Sequence, residues 1–118
     1  MTPEEKKLLL IDLCARLPHG VKVDVSRVEE WKELTLTPFI LSNYYDDIEK
    51  IKPYLRPMSS MTEEEETLFR CELPAIAKTD AHLVAMRMEL FLKGHLDFNH
   101  LIEKGLALEA TEDMYKTE

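Results

Sequence analysis

The chain of 118 residues is 45% hydrophobic and 32% charged, a composition typical of one folded domain of modest size. Its formal net charge is −8, and most of the excess lies in residues 62–118, which carry 6 basic and 13 acidic side chains. A surface that binds nucleic acid needs clustered Lys and Arg to neutralise phosphates. We therefore expect no direct nucleic-acid binding.

The start of the chain and its cysteines indicate the compartment. The apolar run LLLI is too short for a signal peptide and ends at Asp12, and no segment approaches the roughly 20 apolar residues of a membrane span. Cys14 and Cys71 lack the spacing of a redox or metal site, and we expect both to be reduced thiols that pack as small core residues. The sequence therefore predicts a cytoplasmic protein that does not bind membranes.

Residues 2–17 give the strongest helix signal. Thr2 and Glu5 have the spacing of a capping box, and Pro3 suits the first position of a helix. The apolar side chains that recur at helical spacing are Leu9, Leu10, Leu13, Cys14 and Leu17. Because these side chains form one stripe, the helix must lie on another element of the structure.

The hydrophobic period changes to two after this helix. In residues 21–25, valines alternate with polar side chains and predict a half-buried strand. In residues 34–40, leucine and isoleucine alternate with threonine and predict a second strand. The connection around Glu29 and Glu30 lacks a tight-turn sequence, so we expect a longer loop there.

The stretch IKPYLRPMSSMTEEE, residues 51–65, combines two prolines, two serines and a block of acids. The prolines favour an extended, stiff backbone and predict a rigid bridge between the sheet and the helices. Thr62 and Glu65 then repeat the capping-box spacing, and the acids favour the positive end of the helix dipole. We expect this helix to stop before Pro74.

Two further helices are predicted toward the C-terminal end. The first begins at Thr79 or Asp80 and ends at Gly94. Its predicted apolar face is formed by Leu83, Met86, Leu90 and Phe91. The second is short, is capped by Asp97 and packs through leucines on either side of that cap. From Thr111 the chain is polar, and we expect it to fray.

Together these elements predict an α+β fold: an N-terminal helix, a small antiparallel sheet or partial barrel, and about three C-terminal helices. We expect a single domain over residues 1–118. Within it, residues 1–20 form the N-terminal helix, 21–56 the β unit, 57–110 the helical unit and 111–118 the tail.

The pattern of titratable residues predicts no catalytic, cofactor or metal site. His95, His100 and Glu103 come nearest to a metal cluster, but the histidines are five residues apart, whereas a helical metal pair needs them four apart. The acidic run Glu63–Glu66 lacks the loop pattern of a calcium site and suits a solvated helix start. We therefore expect a protein that catalyses nothing.

The aromatic residues concentrate around the predicted strands. We predict that a protein partner binds through Trp31, Phe39, Tyr44 or Tyr45, because aromatic side chains are the usual anchors of interfaces. On strand alternation, Phe39 falls on the sheet face opposite Leu34. That face is covered either by a helix of the same chain or by the partner.

Three phrases carry a resemblance to a known group of proteins: MTPEEKKLLLIDLCARLPHGVKV, IKPYLRPMSSMTEEE and LKGHLDFNHLIEKGLALEA. In these phrases the chain resembles short uncharacterised proteins of Bacteroides-type gut bacteria and their prophages or mobile elements. The likeness is least in the strand region and in residues 68–92, which lack the usual Asp-Trp/Tyr-Leu phrase. The resemblance implies a source, a compartment and a small SH3-like barrel or meander in the strand region, and it implies no reaction.

These observations favour a non-catalytic protein-interaction module, such as an accessory protein of a prophage or mobile element, with a protein partner. The first alternative is an acidic decoy that mimics nucleic acid and occupies a basic host protein, which requires the C-terminal acids to form one continuous surface. The second alternative is an enzyme, which requires a pocket with converging polar groups.

Overall fold

A computed structural model of the protein describes residues 2–25, 34–111 and 114–115. These residues adopt an α+β fold in which an N-terminal helix and a small sheet are followed by further helices, as the sequence predicts. The loop that we expect around Glu29 and Glu30 lies outside the described residues.

Helix α1, Pro3–Arg16, begins as its sequence predicts. The Thr2 hydroxyl accepts a hydrogen bond from the Glu5 amide, and the Glu5 carboxylate accepts one from the Thr2 amide. Leu9 and Leu13 are fully buried. They belong to the main hydrophobic core, whose other buried members are Val21, Val23, Val25, Leu36, Ile40, Ile48, Ile51, Leu55, Leu101, Leu106 and Ala107.

The sheet has four strands: Lys22–Val25 (β1), Leu34–Thr35 (β2), Ile51–Leu55 (β3) and Leu108–Glu109 (β4). They pair in the order β2-β1-β3-β4, with β2 and β4 at opposite edges. Strand β1 is antiparallel to β2 and to β3, whereas β3 and β4 are parallel. The sheet is therefore mixed rather than wholly antiparallel. The helices provide the long crossover connection that a parallel pair requires.

Strand β3 lies in the middle of the sheet and contains Pro53. Proline cannot donate to a sheet ladder and is usually confined to edge strands. Here Pro53 is buried opposite Val23 of β1, and the side chains of Ile51 and Leu55 are fully buried on the same face. The prolines do impose extended backbone, but this stretch is a central strand rather than a bridge between two units.

The second predicted strand ends sooner than its alternation indicates. Strand β2 stops at Thr35, and Pro38–Asn43 forms a short helix, α2. The Thr37 hydroxyl caps this helix by accepting a hydrogen bond from the Ile40 amide at 3.2 Å. Because a Thr-Pro pair is a strong helix start, it overrides the alternating pattern. The prediction that Phe39 lies on a sheet face is therefore wrong.

The helix that begins after Thr62 has the predicted capping box. It does not stop before Pro74, however. Helix α3, Glu63–Thr67, continues through a π-helical turn, Leu68–Glu72, into helix α4, Leu73–Ile76. A proline removes one backbone donor, and its ring clashes with the preceding turn of a regular α-helix. The wider π turn accommodates the ring, so the predicted end of this helix is wrong.

Helix α5, Asp80–Lys93, begins at its Thr79 cap and ends at Gly94, as predicted. Phe69 and Phe91 stack with their ring centroids 5.5 Å apart. Phe69 precedes the turn that joins α4 to α5, and Phe91 follows it. Their contact therefore shows that the two limbs, residues 62–76 and α5, run antiparallel. We call residues 62–94 the helical hairpin.

The short helix predicted after Asp97 is replaced by turns. The Asp97 carboxylate does accept hydrogen bonds from two following backbone amides, and Leu96 and Leu101 are fully buried on either side of it. A helix cannot propagate here because His100 has a positive φ of 56°. The capping and packing roles of these residues are as predicted, but the helix is not.

The remaining short elements are single 3₁₀ turns at Leu17–His19, Ile48–Lys50 and Met58–Ser60.

A buried ion pair fixes α1 to the turn after the hairpin. Arg16 and Asp12 are 0% and 1% exposed and are bonded to each other across one helical turn. Arg16 Nη2 also donates to the Leu96 carbonyl at 2.7 Å, and Asn99 donates to Asp12 Oδ2 at 2.8 Å. The pair therefore holds together two segments that are about eighty residues apart in sequence.

An aromatic column continues from this pair into the helical hairpin. The Arg16 guanidinium lies 4.9 Å from the ring centroid of Phe98. Phe98 stacks on Phe91 at 5.7 Å, Phe91 stacks on Phe69, and the Arg87 guanidinium covers the Phe69 ring at 4.3 Å. The three rings between the two arginines join the core to the hairpin.

Replacing Asp12 by Ala should lower the free energy of unfolding by about 3–5 kcal/mol, because it leaves the Arg16 charge buried without its partner. Urea melts of the purified variant would measure this loss. The double variant Asp12→Leu/Arg16→Met should lose less than the single variant, because it removes both charges.

The matched control is Lys93→Ala, which breaks an exposed pair with Glu89 at 2.8 Å, also across one helical turn, and should cost no more than about 1 kcal/mol. Equal losses for Asp12→Ala and Lys93→Ala would show that the buried pair does not have the role given to it here.

Candidate functional site

Helix α2 and the residues that follow it form a small platform on the core. Thr37 and Pro38 fix the start of the helix, and Ile40 anchors it by packing into the hydrophobic core. Tyr44 at its C-terminal end is half-buried and also packs against the core. We call residues 37–45 the aromatic platform.

Two aromatic side chains of the platform point into solvent. Phe39 is 71% exposed and Tyr45 is 61% exposed. Of the four residues predicted to contact a partner, these two are free to do so, whereas Tyr44 is used mainly in packing. Trp31 lies outside the described residues, and its role stays a prediction.

A second candidate is a cleft beside the end of β4, with a volume of about 580 Å³. The described residues that line it are Arg56, Pro57, Ser60, Thr62, Glu109, Ala110, Thr111 and Tyr115. The walls of the cleft are partly polar and partly apolar, and Arg56 is the basic residue among the described part of its lining. Whether it could bind an anion depends on what the guanidinium of Arg56 already contacts.

The guanidinium of Arg56 is occupied by the protein itself. It forms a two-pronged ion pair with Glu65, at 2.6 and 3.2 Å, and donates to the carbonyls of Gly94 and Ser60 at 3.1 and 2.9 Å. Burial raises the pKa of Glu65, but the hydrogen bonds from Arg56 and Thr62 outweigh it and hold that pKa below its ordinary value. Arg56 is therefore a clamp between β3 and the helical hairpin rather than a free anion ligand.

The wall of the cleft is completed by Tyr115, which is fixed at both ends. Its ring stacks on His95 with centroids 3.7 Å apart. Its hydroxyl donates to the Tyr54 carbonyl at 2.7 Å and accepts from the Lys22 amide at 2.8 Å. Burial raises the pKa of Tyr115 to about 12, so the hydroxyl stays protonated at neutral pH.

The sequence predicts that the chain frays from Thr111 onward. This prediction is wrong for Met114 and Tyr115, which contact the rest of the protein. Met114 is 8% exposed, and its carbonyl accepts a hydrogen bond from Lys22 Nζ at 2.9 Å. A Met-Tyr pair inside a polar tail was the sequence signal for this contact, because it is the apolar part of that tail.

The ring of His95 lies beneath Tyr115, and its Nδ1 atom has no hydrogen-bond partner in the described part of the chain. Burial lowers the pKa of His95 from 6.5 to about 4. The nearby groups that can carry positive charge act in the same direction: Arg16, His19, Arg56 and Lys22. The imidazole is therefore neutral at physiological pH and serves as a packing surface for the tyrosine.

The two cysteines are exposed, on α1 and in the π-helical turn. The prediction that Cys14 and Cys71 pack in the core is therefore wrong. Cys14 neighbours the leucine stripe in sequence, but it falls one helical step beyond Leu13 on the solvent side of α1.

The described part of the chain lacks two general signatures of function. Among the described residues, no group of three or more His, Cys, Asp or Glu side chains could hold a metal ion. Over the same residues, no helix has the length and apolar character needed to cross a membrane. Comparison with protein-family models, curated proteins and solved structures finds no match to the chain.

Replacing Arg56 by Lys should lower the free energy of unfolding by about 1–3 kcal/mol, because a lysine cannot form the two-pronged pair with Glu65 and also reach two carbonyls. Urea melts would measure the change. The control is Arg70→Lys at an exposed position of the π-helical turn, where we expect a change within about 0.5 kcal/mol. If Arg56→Lys lowered the free energy of unfolding by no more than Arg70→Lys does, the role of Arg56 as a clamp between β3 and the helical hairpin would be contradicted.

Protonation of His95 should destabilise the fold. Because its pKa is about 4 when folded and near 6.5 when unfolded, the unfolded chain binds the proton more readily. The contribution of His95 is therefore fully present above pH 6.5 and is lost as the pH falls from 6.5 toward 4. Urea melts at several pH values in that window would measure the slope.

The variant His95→Asn should show a shallower loss of stability over this window than the native chain. His95 and His100 both have a positive φ, of 58° and 56°, which asparagine tolerates. Because His100 is exposed, His100→Asn is the control. If both variants keep the native slope, the titration of His95 does not govern it.

Proposed function

We propose that this protein is a non-catalytic protein-interaction module that binds a protein partner through the aromatic platform. The observation that carries the proposal is the exposure of Phe39 and Tyr45, at 71% and 61%, on and just beyond a helix that is anchored in the core. Single exposed apolar side chains are common on proteins. Two large aromatic ones within seven residues, one on a capped helix and one just beyond its end, are the type of anchor that protein interfaces use.

The local structure of the platform supports a binding role. Its backbone is fixed by the Thr37 cap and Pro38, and its inner side is held by Ile40 and Tyr44. A partner would therefore meet aromatic side chains on a backbone that is already ordered. Because the backbone does not have to be ordered on binding, more of the interaction free energy remains as affinity.

Two polar groups of the cleft, the Arg56 guanidinium and the Tyr115 hydroxyl, already have hydrogen-bond partners within the protein, which favours a binding function over a catalytic one. A catalytic pocket needs polar groups whose donors and acceptors are available to a substrate. In the cleft, the Arg56 guanidinium is taken up by Glu65 and two carbonyls, and the Tyr115 hydroxyl is taken up by backbone groups of β1 and β3. These contacts support a structural role for the cleft.

The proposal extends to the setting of the protein. We place it in the cytoplasm of a Bacteroides-type host, as an accessory protein of a prophage or mobile element. The resemblance in three sequence phrases supports the source, and two exposed, unpaired cysteines suit a reducing compartment. The acidic excess supports a protein partner rather than nucleic acid or an anionic membrane.

A photo-crosslinking amino acid, p-benzoylphenylalanine, in place of Phe39 should capture the partner in host cells, because it keeps an aromatic side chain at that position. The same amino acid in place of Ile11, which is 56% exposed on α1, is the control. We expect a discrete crosslinked species from position 39 that is absent from position 11, identified by mass spectrometry.

The double variant Phe39→Ser/Tyr45→Ser should then lose binding to the purified partner while its urea melt stays within about 0.5 kcal/mol of native, because both side chains are exposed. Equal crosslinking from both positions, or undiminished binding by the double variant, would overturn the proposal.

A further inference from the structure

The chain leaves helix α2 through a tight turn at residues 44–47. The Asp47 amide closes this turn by donating a hydrogen bond to the Tyr44 carbonyl at 3.0 Å. Tyr45 and Asp46 are its two central residues, and both side chains are exposed. Because consecutive Cα atoms are about 3.8 Å apart, a phenol ring and a carboxylate lie side by side at the end of the aromatic platform.

Neither of these two side chains is used by the protein itself. Among the described residues, the Asp46 carboxylate has no hydrogen bond and no ion pair, and it caps no helix. Over the same residues, the Tyr45 ring stacks on no other ring and carries no cation. Both groups are therefore available to a molecule outside the chain.

The charges near the turn leave Asp46 unbalanced. Asp46 is the only charged side chain in residues 34–46, which include the whole aromatic platform. The next two acids along the chain are each paired with a lysine: Asp47 with Lys50, and Glu49 with Lys6. The platform is therefore an apolar, aromatic surface with one free negative charge at its end, and a partner that fits it carries a positive charge beside an apolar group.

We propose that the aromatic platform recognises an arginine of its protein partner at the turn formed by Tyr45 and Asp46. The guanidinium stacks on the phenol ring, and its planar fork donates two parallel hydrogen bonds to the carboxylate. A lysine fits less well, because its ammonium is a point charge that neither stacks flat on a ring nor pairs in a fork. The net charge of −8 also attracts a basic segment at longer range.

This inference rests on the proposed function, because it names the chemistry of the partner that the same surface binds. Phe39 supplies an apolar anchor, and the turn adds a preference for one charged side chain. Because Asp46 is exposed, its contact with an arginine adds modestly to affinity. Its larger effect is on selectivity, since a partner with an acidic residue at this place is repelled.

Selection of a random-peptide phage library on the purified full chain tests the proposal without knowledge of the natural partner. The bound peptides should be enriched in arginine beside a large apolar residue. The same selection on Asp46→Asn should lose the arginine enrichment, because that variant cannot form the charged pair. Asp80→Asn is the matched control: it removes one exposed negative charge from α5 and should keep the enrichment.

The double variant Phe39→Ser/Tyr45→Ser separates the two proposals. If peptides bind the native chain and not the double variant, but arginine is not enriched or stays enriched on Asp46→Asn, the platform binds a partner and the arginine assignment is overturned. If the native chain selects no peptides, or the double variant selects the same ones, the platform is not a binding surface and both proposals fall.

A double-mutant cycle with one selected peptide then measures the pair directly. Replacing the peptide's arginine by citrulline, which has the same shape without the charge, should raise the dissociation constant about fivefold on the native chain. On Asp46→Asn the same replacement should have a much smaller effect, because the partner of the charge is already absent. Equal effects on the two chains would show that the arginine does not contact Asp46 and would overturn the proposal.

Discussion

A buried arginine imposes the constraint on which the rest of this structure depends. The Arg16 side chain is withdrawn from water, so its charge must be balanced inside the protein, although its Nη1 atom has no hydrogen-bond partner among the described residues. The balance comes from Asp12 on the same helix, and a further acceptor comes from Leu96 beyond the hairpin. Because Phe98 of that same segment stacks under the guanidinium, α1, the turns and the aromatic column are fixed relative to one another.

How much of the fold follows from the sequence depends on the range of the interactions that form each element. The helix caps at Thr2 and Thr62 and the strand at Lys22–Val25 are decided by neighbouring residues, so local patterns predict them. Strand β4 has two residues and exists only because β3 offers it backbone partners, so no period reveals it. The π turn that carries the chain past Pro74 likewise depends on its packing rather than on local propensity.

The candidate surfaces likewise include features that neighbouring residues predict and features that depend on contacts between distant residues. Aromatic composition pointed to Phe39 and Tyr45, but the face assigned to Phe39 was wrong because the Thr-Pro helix start outweighed strand alternation. The role of Tyr115 was missed because its partners, Lys22 and Tyr54, are far away in sequence.

Because the side chains of the helical hairpin are only partly buried, the hairpin can open locally while the rest of the protein stays folded. A segment opens on its own when it buries little apolar surface, and none of the side chains of α5 is fully withdrawn from water. The sheet core, by contrast, consists largely of side chains with no exposure at all. Amide hydrogens of α5 should therefore exchange with solvent through partial opening events in which β1 and β3 stay protected, as expected if the hairpin is a cooperative unit distinct from the sheet.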